Sequence, residues 1–88
     1  MIEVKSEQII ITFDGRVVDV FYRSGKNERM HVDFVEDMRL ERHRKGTMQL
    51  MGKMGNLYVG IPLSDETIPH AETLLRAVQE AQLRGQQE

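Results

Sequence analysis

With 88 residues and a formal net charge of −2, from twelve Lys and Arg against fourteen Asp and Glu, the chain has room for one domain, residues 1–88, with one core. That balance offers no long-range attraction to a polyanion, which argues against a nucleic-acid partner. The absence of cysteine removes disulfides, zinc–thiolate sites and cysteine nucleophiles and points to a reducing, cytoplasmic setting. MIEVKSEQ has neither a basic start nor a sustained apolar core, and no apolar run is long enough to cross a bilayer, so the chain reads as soluble and unprocessed.

Residues 9–23, IIITFDGRVVDVFYR, place two apolar runs around an Asp-Gly pair. A two-residue primed turn at Asp14 and Gly15 predicts a hairpin in which Phe13 faces Arg16, Ile11 faces Val18 and Ile9 faces Val20. One face is then almost wholly apolar. The other pairs Ile10 with Asp19, Thr12 with Val17 and Gln8 with Phe21.

Beyond the hairpin, SGKNE is a turn, and RMHV restarts a strand with Met30 and Val32 on one side. Asp33 to Glu36 form a brief turn before a strand whose Met38 and Leu40 point the same way. Lys45 and Gly46 mark the next turn, TMQLMGK a strand, MGN a turn, and LYVGI the last strand before Pro62. Every connection is too short for a parallel crossover, so about six strands are expected in consecutive antiparallel order. Only MIEV, residues 1–4, could add another.

The period then changes. Ile68, Ala71, Leu74, Leu75, Val78 and Ala81 recur at three and four, with Glu72 and Arg76, and Glu80 and Arg84, one turn apart on the other side. The spacing predicts an amphipathic helix over about 67–84, beginning at Thr67 to Pro69 and ended by Gly85, with Leu74 and Leu75 largely buried. The fold class is α+β: an antiparallel sheet, bent or partly open as a barrel, closed by one C-terminal helix.

The succession ITFDGRVVDVFY, ERMHVDFVEDMRLERH and LYVGIPLSDETIPHAETLLRAV resembles the bacterial pleckstrin-homology-like domains, over roughly residues 8–82. An FDG-type hairpin, a strand leading into a turn, and a closing C-terminal helix recur in that family, whose complete fold has seven strands. The resemblance implies a scaffold that binds peptides, lipid headgroups or its own copies and does no chemistry.

The residues themselves offer few catalytic arrangements. His31, His43 and His70 fall in three different elements, and only His31 has a carboxylate, Asp33, at a spacing that shares a strand face. No second pair stands at metal-ligand spacing. Gly52-Lys53 runs into Met54 and Gly55 rather than into a helix, so a phosphate loop is excluded and hairpin turns explain these glycines. Met48, Met51 and Met54 read as flexible core filling before copper ligation or an adaptable contact surface. Strand spacing throws Met51 to the side opposite the other two. No enzyme activity, cofactor, metal or small-molecule substrate is expected.

Two surfaces remain. Arg39, Arg42, Arg44 and Lys45 form the densest basic run, a candidate patch for anionic lipid headgroups at a membrane surface. Phosphoinositide-binding members of the resembled family carry such residues in the loop joining the first two strands, which here is the tight turn at Asp14 and Gly15. Arg42 and Arg44 share one strand face while Arg39 and Lys45 take the other, and none of the five aromatics, three Phe and two Tyr, interleaves with the run. The second surface is Ile10, Val17 and Phe21, on the side of the hairpin away from Ile9, Ile11, Val18 and Val20. One helix covers one face of a small sheet, so either sheet bending or a contact between chains must cover these three. The favoured reading is a non-enzymatic protein-interaction or self-assembly module, a homo-oligomer or a binder of another protein; anionic-lipid binding is the alternative.

Overall fold

The computed structural model describes residues 1–44 and 46–86. Seven strands, not six, precede the helix: β1 (Ile2–Lys5), β2 (Ile9–Phe13), β3 (Val17–Tyr22), β4 (Asn27–His31), β5 (Asp37–Arg42), β6 (Met48–Met54) and β7 (Leu57–Leu63). A 3-10 turn (Asp65–Thr67) leads into α1 (Ile68–Gln86). All pairings are antiparallel between consecutive strands, yet the strands form two sheets, β1-β2-β3-β4 and β5-β6-β7, rather than one run.

The added strand, Ile2–Lys5, covers most of MIEV, pairs with β2 and buries Val4 opposite Ile11. The break falls at the turn expected over Asp33 to Glu36. There the Phe34 N–H bonds to the His31 carbonyl, and the side-chain amide of Gln82 donates to the carbonyls of Val32 (3.3 Å) and Val35 (2.9 Å). Carbonyls at the corner are thus satisfied by the helix instead of by a neighbouring strand.

The first hairpin keeps its faces but shifts its register by two. Ile9 stands opposite Tyr22, Ile11 opposite Val20 and Phe13 opposite Val18. Among the described residues only glycines have positive φ, so Asp14 cannot take the first central place of the expected turn. Gly15, at φ 105°, takes it instead, with Arg16 second. Asp14 Oδ1 accepts the N–H groups of Arg16 (2.9 Å) and Val17 (2.8 Å). Those bonds hold the Asp14 carboxyl below its ordinary value, the Val17 bond most and the Arg16 bond next. Because side chains alternate with period two, the slip leaves Ile9, Ile11, Phe13, Val18 and Val20 all buried.

β7 runs on through Pro62 to Leu63. As an edge strand it tolerates a residue without an N–H. Sheet packing brings β4 onto β6 at Gly52: a Cβ there would lie 3.2 Å from the Met30 sulfur, so the missing side chain is the space the thioether occupies.

The helix buries Ala71, Leu74 and Val78 completely, while Leu75, expected to be largely buried, sits to one side and is only partly covered. Thr67 closes the 3-10 turn by donating its hydroxyl to the Ser64 carbonyl (2.8 Å). Pro69 falls in the first turn, where its missing N–H leaves no bond unmade. Gly85 does not end the helix, which continues to Gln86. No helix among the described residues is long and apolar enough to cross a membrane.

Candidate interaction surfaces

The helix packs on one side of the four-stranded sheet, so the side chains pointing the other way form an open face. One row runs Lys5, Ile10, Phe21, Asn27 across β1 to β4. Ile10 is half-buried and Phe21 is 45% exposed. The next row is polar: Glu3, Thr12, Asp19, Arg29. Arg29 Nε donates to Asp19 Oδ1 at 2.9 Å, and this carboxylate raises the guanidinium's pKa through its hydrogen bond and charge. Val17 lies one row further, opposite His31. The structure therefore brings Ile10 and Phe21 together as a cross-strand pair and sets Val17 apart behind the Asp19–Arg29 ion pair. The expected opposite numbers, Gln8 for Phe21 and Thr12 for Val17, are replaced because the register moves.

The basic run is divided. Arg39, on the outer face of β5, reaches Asp37 and also Glu41 (3.4 Å) on its own strand. Arg42 Nη1 donates to the Gly46 carbonyl (2.7 Å), Arg44 is exposed at the turn, and Lys45 lies outside the described residues. Reading the run by its cations alone misses that acid and base alternate along one face of β5, at Asp37, Arg39 and Glu41. That alternation was the signal in the sequence.

The methionines divide as expected. Met48 and Met54 stand with Leu50 on the core side of β6, and Met51 stands on the other, over Gly60, where an added Cβ would come 3.2 Å from its sulfur. Nearby, the Tyr58 phenol and the Glu36 carboxylate, 3.5 Å from Lys53 Nζ, raise the lysine's pKa. At the far end of the first sheet, burial pushes the Tyr22 phenol up and Glu28 adds to the shift. Glu28 stands opposite Val20 on the core side of β4. Its Oε1 meets Lys26 (3.4 Å), and its Oε2 is buried without a hydrogen-bond partner among the described residues.

His31 Nδ1 accepts the Asp33 N–H (3.2 Å) and lies 3.6 Å from Asp33 Oδ2, with the Phe34 ring edge-on at 5.8 Å between centroids. This local turn borders an open cleft of about 510 Å³ shared with Asp14, Arg16 and Arg84. Among the described residues no three His, Asp or Glu side chains gather as a metal site. No protein-family model, curated protein or solved structure matches this chain.

Proposed function

We propose that the protein is a non-catalytic interaction module of pleckstrin-homology-like plan, which self-associates through the open face of its four-stranded sheet. The carrying observation is the Ile10–Phe21 pair, apolar and partly exposed on the face opposite the helix. Burying an exposed aromatic against a copy of itself is the simplest way to remove it from water, since a two-fold contact uses one patch twice. Seven strands split four and three before a C-terminal helix support the family reading. The anionic-lipid reading loses Arg39, whose charge is matched by Asp37 and Glu41 on its own strand. Light scattering tests the proposal: the parent self-associates, and Phe21→Asp, with an unchanged melting curve, removes that contact. Salt-sensitive sedimentation of a monomeric parent with acidic vesicles would replace this reading by the lipid one.

A further inference from the structure

Two sheets leave four edge strands, and three of them are guarded. β1 is the strand against which α1 chiefly packs. β7 carries Pro62, which cannot donate to a new neighbour. β4 turns the carboxylate of Glu28 toward its core side, the inward charge that discourages edge pairing. β5 is guarded least: DMRLER holds no Pro and no Gly, and among the described residues it pairs only with β6, although α1 also touches it and Arg42 shares the side of Met38 and Leu40.

The ladder fixes which backbone groups β5 presents. His43 N–H bonds to the Thr47 carbonyl across the β5–β6 turn. Antiparallel alternation then points the backbone groups of Asp37, Arg39 and Glu41 at β6, and those of Met38, Leu40 and Arg42 at the open edge. We infer that two copies of the chain pair antiparallel along β5, about a two-fold axis at Leu40, to make one continuous six-stranded sheet. In this register Leu40 faces the partner's Leu40, Met38 faces the partner's Arg42, Arg39 faces the partner's Glu41, and Asp37 faces the partner's His43. Every charged pair is of opposite sign or neutral, and the three edge-facing residues of each copy supply about six backbone hydrogen bonds. Moving the register by two residues either way sets Arg39 against Arg39 or Glu41 against Glu41, and it loses hydrogen bonds. Charge and hydrogen bonding therefore select the same alignment. β5 is self-complementary because its signs alternate about a central leucine.

The inference extends the self-association reading but uses neither Ile10 nor Phe21, so the two fail separately. Light scattering and sedimentation at roughly 100 µM, a range that populates weak dimers, resolve them. With both contacts the parent exceeds a dimer. Phe21→Asp leaves the β5 dimer, and Arg39→Glu, which sets like charges opposite each other twice, weakens the β5 contact about tenfold or more. Combining Arg39→Glu with Glu41→Arg restores the opposite pairing and the association. The chain has no cysteine of its own, so Leu40→Cys gives a single thiol that oxidises to a cross-linked dimer, whereas Glu41→Cys, offset from its own copy by two residues, does not. A parent that does not associate, a charge swap that fails to restore association, or equal cross-linking at both positions overturns the β5 pairing. Loss of all association with Phe21→Asp alone also overturns it, whereas association insensitive to Phe21→Asp but lost with Arg39→Glu overturns the open-face contact instead.

Discussion

The two sheets face one core and are built from different materials. The inner face of β1 to β4 is mostly β-branched: Val4, Ile9, Ile11, Val18 and Val20, with Phe13 and Met30, all buried. The inner face of β5 to β7 mixes buried Met38, Leu50, Val59, Ile61 and Leu63 with half-buried Leu40, Met48 and Met54 and a bare Gly52. Branched side chains have few rotamers and fix the distance between neighbours, whereas thioethers bend to fill what is left. The first sheet is a template and the second adapts to it.

The helix clamps both sheets, so its loss is felt most. Leu74 is fully buried, and Leu74→Ala should cost about 2–5 kcal/mol in chemical denaturation. A change under about 0.5 kcal/mol would mean that the helix does not hold the sheets.

A matched pair compares the sheets directly. Ile11 and Ile61 are 1% and 0% exposed, one in each sheet. Ile11→Val should cost about 0.5–1.5 kcal/mol, and Ile61→Val about half as much, because Met48, diagonal to Ile61 across the β6–β7 ladder, can move into the space. Equal costs would erase the distinction. Gly52→Ala probes the same adaptability from the opposite direction. Its new methyl would meet the sulfur of Met30, which the first sheet contributes, at 3.2 Å, so the cost should sit near 1 kcal/mol, the low end for overpacking; a loss of several kcal/mol would show that this thioether cannot move aside.

The smallest effect belongs to the first hairpin and depends on pH. Asp14 titrates below its ordinary value of 3.8 because its charged form accepts two backbone N–H bonds. Its contribution to stability is complete above that unfolded-state value and disappears as pH falls through the lower folded-state value. Melting curves between about pH 2 and 5 should therefore converge for the parent and Asp14→Ala at the acid end. A gap that persists unchanged at the lowest pH would assign the hairpin's stability to something other than this carboxylate.

The faces of the first hairpin were legible in the sequence even though its register was not. Alternation is a property of residue type along each run, while register depends on which residue takes the positive φ, and an error of two residues leaves the faces intact. The same error set Ile10 opposite Asp19 instead of Phe21, whereas Asp19 separates Val17 from Phe21 along β3 in either register and only its β4 partner Arg29 went unseen. β1 was legible only as a possibility: four residues with two apolar side chains carry little periodicity. The division into two sheets could not be read, because the groups that satisfy the corner come from Gln82, far along the chain.

That distance governs the order of assembly. Val32 and Val35 wait 50 and 47 residues for the amide that binds their carbonyls. Each hairpin closes over a short loop and can form as soon as its strands leave the ribosome, whereas the corner between the sheets has no donor until the last turns of α1 are synthesised. During synthesis the two halves thus mature as separate hairpin stacks, joined by a hinge whose angle is still free. The C-terminal helix sets that angle when it docks, so a chain halted before Gln82 would hold strands without a defined relation between its sheets.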